Sequence, residues 1–237
     1  MHCDVVPWVL PHMISNLYYQ LALMACVVFF YSDVPFMNQK EFYRIFRSGR
    51  TTWTISCLYD LFLMGFFIIM IVAVMALLPL LSVTEWSADW GKALYTLCYY
   101  GMDGQLFEIE FDILNYFTPL QAMGMTILLG GFVFGFLGIL MFTISLFFSR
   151  NISMIVAMLL VILPLMAENF LNLQNNVKIW YFSPISWMRL TKVELVYHRG
   201  LPNLQFILPC LVILILVCSI ASVWKVRNMD FDLYNEG

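Results

Sequence analysis

Apolar residues in this chain gather into long runs separated by polar stretches, and the runs have the length of helices rather than the alternation of strands. Five stand out, at 13–31, 55–81, 120–148, 152–167 and 205–224. Crossing about 30 Å of hydrocarbon as helix takes roughly 20 apolar residues. The pattern therefore predicts an all-α integral membrane protein, a bundle of about five transmembrane helices forming a single domain over 1–237. The fourth run is short and holds Pro164, so it is expected to kink, or to continue through Glu168 and Asn169 into a polar environment.

The stretch between the first two runs, 33–53, is the most basic one: Lys40, Arg44, Arg47 and Arg50 fall close together in it. Short loops rich in Lys and Arg stay on the cytoplasmic side. A helical period over NQKEFYRIFRSGR puts Phe42, Ile45 and Phe46 on one stripe and Lys40, Arg44 and Arg47 across from it, with Ser48-Gly49 as a stop. Spacing alone leaves two readings of this short amphipathic helix open. It either lies in the interface and fixes topology, or it docks into a cytosolic partner.

Placing that loop inside fixes the rest of the threading: 82–119 outside, 149–151 inside, 168–204 outside and the C-terminus inside. Seven of the twelve Lys and Arg then lie inside. The segment 168–204 argues the other way, because Lys178, Arg189, Lys192 and Arg199 outnumber Glu168 and Glu194. Its IWYFSPISWMRL stretch, with Trp and Tyr anchors, is expected to dip into the interface as a re-entrant or flat-lying helix. Five spans leave the termini on opposite faces, so either the count is odd or an upstream span precedes residue 1.

Composition agrees with the pattern. Hydrophobic residues make up 62% and charged ones 11%, and the mean hydropathy is +0.84. A soluble globule of this size needs more polar surface. The formal charge of −3 carries no concentrated basic face, so nucleic acid is not an expected partner. Cys26, Cys57, Cys210 and Cys218 lie in apolar runs without a CxxC pair, which indicates neither a zinc site nor a disulfide framework. Only Cys3 and Cys98 are placed to meet in an oxidising compartment.

Three further features carry candidate roles. Gly131 and Gly135 form a GxxxG pair in the third run, suited to close helix packing inside the bundle or at a subunit interface. Asp60, near the start of the second run, reads as interfacial, or as the partner of Arg44, Arg47 or Arg50. Catalytic signatures are missing: there is no GxSxG, no HExxH and no GxxxxGK[ST], and His2, His12 and His198 are scattered. No enzyme, metal site or resident cofactor is expected.

The succession of PWVLPHMISNLYYQ, DVPFM, EFYRIFRSGRTTW, WGKAL and a basic WKVRNMDF exit resembles the permease subunits of the ABC type-2 exporter family, in particular small bacterial ones. The resemblance implies that 38–50 is a coupling helix seated on a cytoplasmic ATP-binding-cassette ATPase through Glu41, Phe42, Tyr43, Phe46, Arg47 and Arg50. It further implies a second permease chain, ATP and Mg on the ATPase subunit, a place in the cell membrane with lipid around it, and a re-entrant hairpin before the last span. The family's opening amphipathic helix and first span have no counterpart here. The cargo expected is hydrophobic or amphipathic: a peptide antibiotic, a drug or a lipid. The alternative is a non-pumping scaffold or immunity protein that binds a peptide or lipid.

Overall fold

The structure is a computed structural model; it describes residues 6–34, 39–81, 89–100, 109–169, 177–195 and 200–228. Among these the chain is all-helical, and four helices are long and apolar enough to cross a membrane. In chain order the α-helices are α1 (Leu10–Ser15), α2 (Leu17–Phe30), α3 (Gln39–Ser48), α4 (Arg50–Leu77), α5 (Gly91–Tyr100), α6 (Phe111–Tyr116), α7 (Pro119–Phe147), α8 (Arg150–Asn169) and α9 (Leu204–Arg227). The membrane candidates are α4 with its 3-10 extension to Leu80, α7, α8 and α9.

The first predicted span is divided. Asn16 is extended, and its side chain accepts hydrogen bonds from the Tyr18 and Tyr19 N–H groups, which starts α2 afresh after the six residues of α1. With 14 residues, α2 is about 21 Å long, short of the hydrocarbon thickness. The second span begins at Arg50, five positions before the apolar run, because Gly49 at φ 85° turns the chain directly from α3 into α4. The fourth run does continue through Pro164 to Asn169 as α8.

The central element is α7, packed against α4, α8 and α9. It opens on Thr118-Pro119, where the Thr118 N–H donates to Gln121 Oε1 at 3.1 Å, a reciprocal cap ahead of 29 helical residues. Ile69 faces Gly130 and Phe62 faces Gly135, so α4 and α7 run antiparallel. Thr143 Oγ1 meets Ser222 Oγ at 2.9 Å and donates to Ile139 O, which aligns the C-terminal halves of α7 and α9. Ser153 Oγ donates to Met141 O at 2.8 Å and fastens α8 back onto α7 after a short turn.

This packing gathers the bases. The Trp53 and Phe142 rings are 6.2 Å apart, Arg150 opens the helix after the α7 turn, and Lys225 Nζ lies 5.4 Å from the Phe147 ring. Arg44, Arg47, Arg50, Arg150, Lys225 and Arg227 therefore share one end of the bundle. At the other end, Trp90 Nε1 donates to Phe117 O at 2.9 Å while its ring lies 5.2 Å from that of the buried His12. This ties α1 to the segment that enters α7.

The IWYFSPISWMRL stretch is three short 3-10 segments, Val177–Phe182, Pro184–Met188 and Leu190–Lys192, not one α-helix. Ile185, Trp187 and Met188 are buried against α7 and α8, and Trp187 Nε1 donates to Trp180 O. One proline and two serines explain the local form. Pro184 cannot donate, and the Ser183 and Ser186 hydroxyls bond to each other at 2.7 Å.

Candidate functional site

Two polar constellations interrupt the apolar bundle, one at each end. At the basic end, α3 is joined through Gly49 to α4. Ile45 is buried, whereas its neighbour Phe46 is 75% exposed, with Arg44, Arg47 and Arg50 exposed around it. The predicted stripe is thus split: Ile45 packs on the bundle and Phe46 points away. Glu41, Phe42 and Tyr43 lie on the α3 backbone, but their side chains, like that of Lys40, fall outside the described residues.

Between α2, α3 and α4 lies a cavity of about 610 Å³. Tyr31, Val34, Trp53 and Phe142 line it together with Arg44 and Asp60, which carry opposite charges. The Tyr31 hydroxyl reaches the Leu61 carbonyl at 3.4 Å, bracing α2 on α4. Of the three bases considered for Asp60, Arg44 is the one that shares this cavity. Because α4 starts at Arg50, Asp60 stands ~15 Å along the helix from its first residue. A carboxylate within the hydrocarbon is costly unless a cation or water faces it.

At the opposite end, Arg189 is buried to 1% exposure inside the 3-10 stretch. Its NH1 donates to Glu168 Oε1 at 2.7 Å and its Nε to the Ser15 carbonyl at 2.7 Å; Lys192 Nζ lies 3.3 Å from the same Glu168 oxygen. Gln20 Nε2 donates to Ile185 O at 2.6 Å beside it. The bond to Ser15 occupies a carbonyl at the end of α1, where the break at Asn16 stops the helical ladder. Arg189 and Lys192 share the one carboxylate of Glu168, so the stretch keeps its net positive charge.

Gly131 and Gly135 lie inside the chain's own core. A Cβ on Gly135 would fall 2.9 Å from Phe62 Cδ2, and one on Gly131 2.5 Å from the Phe66 ring. Cys98 sits on α5 with its thiol 3.5 Å from the Ile109 carbonyl, and burial, then the Glu110 carboxylate, push that thiol up; Cys3 lies outside the described residues. Among the described residues no group of three His, Cys, Asp or Glu side chains is placed to hold a metal.

The pairing of Arg189 with Glu168 and Ser15 escaped the sequence reading, which counted both charges without joining them. The available signal was that each is an isolated charge beside an apolar run. Tyr31 and Trp53 carried no signal separating a cavity wall from an ordinary core aromatic. No protein-family model, curated protein or solved structure matches the chain.

Proposed function

We propose that this chain is the membrane-spanning subunit of an ATP-driven exporter of the ABC type-2 kind, moving a hydrophobic or amphipathic cargo outward with a separate cytoplasmic ATPase. The observation that carries the reading is α3. An amphipathic helix is anchored to the bundle by Ile45 and presents Phe46 among Arg44, Arg47 and Arg50, with one glycine between it and the long helix α4. A partner that grips Phe46 moves α4 as a lever, and α4 packs directly on the central helix.

The bases gathered at the α3 end support placing that end, with the C-terminus, in the cytosol. The buried 3-10 stretch then belongs to the extracytoplasmic side, as the re-entrant element before α9. Glu41, Phe42, Tyr43, Phe46, Arg47 and Arg50 form the docking face, and two copies of the chain, or this chain and a second permease, enclose the pathway. ATP and Mg act on the partner.

The test is affinity purification of the tagged chain from its native membranes in mild detergent, with mass spectrometry of what is retained. Stoichiometric recovery of an ATPase carrying a Walker motif supports the exporter. Its reproducible absence, with the chain intact and folded, overturns it in favour of a non-pumping scaffold or immunity protein.

A further inference from the structure

We infer that α5 is a membrane-interface anchor, whose outward face of Lys92, Tyr95, Thr96 and Tyr99, with Tyr100 beside them, rests among phospholipid headgroups at the end of the bundle opposite the bases. The inference is independent of ATPase docking and of which leaflet that end meets.

The helix is two-sided. Leu94 is buried and Leu97 and Cys98 are half-buried, three positions that share one helical face. Lys92, Tyr95, Thr96 and Tyr99 follow the spacing of the opposite face, and all four are exposed. Tyr99 is 77% exposed and the adjacent Tyr100 70%.

Contacts at both ends set its height. Trp90, just ahead of the helix, donates to the carbonyl of Phe117, two residues before Pro119 opens α7. Toward the other end the Cys98 thiol reaches the Ile109 carbonyl at 3.5 Å. The helix therefore lies along 109–117, the segment by which the chain enters a helix long and apolar enough to cross a membrane. With ten residues α5 is about 15 Å long, too short to span the hydrocarbon itself.

The residue types select the headgroup layer. Where α8 and α9 face outward along their spans they show aliphatic side chains such as Ile155, Leu159 and Val217. On α5 the exposed large side chains are tyrosines, each joining an apolar ring to a hydroxyl that needs water or a polar partner, and such side chains collect where hydrocarbon meets headgroups. Lys92 adds an ammonium on a flexible stem, able to reach a phosphate. The exposed rings carry on through Phe111 and Tyr116 of α6 to Leu120, exposed in the first turn of α7. The face is thus continuous with the point at which α7 enters the hydrocarbon.

Photo-crosslinking of the full chain in lipid nanodiscs, one protein per disc, tests this. The discs carry a trace of phosphatidylcholine whose diazirine sits beside the ester carbonyl, and adducts are mapped by peptide mass spectrometry. Tyr95, Tyr99 and Tyr100 should be labelled several times more by this probe than by one with the diazirine at the end of the acyl chain. Phe67, exposed near the middle of the α4 span, should show the reverse order. Replacing Tyr95 and Tyr99 with Asp in a monodisperse protein should remove the label from Tyr100, whereas replacing both with Phe should keep it. Absence of adducts on 91–100 while Phe67 is labelled overturns the inference, and this arm needs no variant to fold. Stronger labelling by the chain-end probe overturns it in favour of burial in the hydrocarbon, and label lost when two chains share a disc overturns it in favour of a second copy. Unchanged labelling of Tyr100 in the Asp variant also overturns it.

Discussion

Gly65 and Gly135 bring the backbones of α4 and α7 into contact: a Cβ built on Gly65 would lie 2.8 Å from the Gly135 Cα and 3.0 Å from the Gly131 carbonyl oxygen. Backbone cannot swing aside as a flexible side chain can, so the two helices must part for any larger residue. Gly65→Ala is expected to destabilise the bundle by about 1–3 kcal/mol, the usual cost of overpacking.

Gly124, on the same helix α7, has nothing within 4 Å of a built Cβ and is exposed. Gly124→Ala should hold or raise stability, by up to about 1 kcal/mol, since alanine is the better helix former. Thermal unfolding in one detergent compares the two variants. A Gly65→Ala protein that melts no lower than the parent contradicts the close contact.

Removing one partner of the Glu168–Arg189 pair strands the other. Glu168→Ala leaves a buried guanidinium with Lys192 nearby, and should cost about 3–5 kcal/mol. Replacing both partners with Leu and Met should recover part of that loss, because the buried guanidinium is gone while Lys192 loses its carboxylate and the Ser15 carbonyl its donor. A double-mutant cycle read by thermal unfolding checks the coupling; simple additivity contradicts it.

Phe46 is so exposed that Phe46→Asp should change bundle stability by no more than about 0.5 kcal/mol. Partner retention should nonetheless collapse, because a hot-spot aromatic at an interface is worth about 2 kcal/mol or more. Co-purification at matched expression reads the second effect and thermal unfolding the first. Full partner retention removes Phe46 from the docking face.

The Cys98 thiol is held neutral by burial and by Glu110, so at neutral pH its thiolate fraction lies below that of an ordinary cysteine. Maleimide labelling followed by peptide mass spectrometry should show Cys98 reacting slowly near pH 7 and gaining rate as pH rises further than a free thiol requires. Glu110→Gln removes the smaller cause and should move that rise partway to lower pH.

The long helices were legible because a membrane demands uninterrupted apolar length, and 120–148 even carries its own start signal in Thr118-Pro119 with Gln121. Asn16 was not. One amide hardly lowers the average of an apolar run, yet its side chain can cap a helix, and tertiary contacts decided that it does. The α3 helix was readable from its charges, but the split between Ile45 and Phe46 depends on how the helix seats against α4, which spacing does not encode. Arg189 was visible as a charge and invisible as a clamp, since both of its acceptors are remote in the chain.

That remoteness orders events during synthesis. The Ser15 carbonyl and its Arg189 donor are separated by 174 positions. At 5–20 residues per second, roughly 10–35 s pass between the translation of one and the arrival of the other. Throughout that interval the end of α1 holds a carbonyl group whose donor has not been made. The end of α1 therefore gains its clamp only when the stretch before α9 folds in among the helices already assembled.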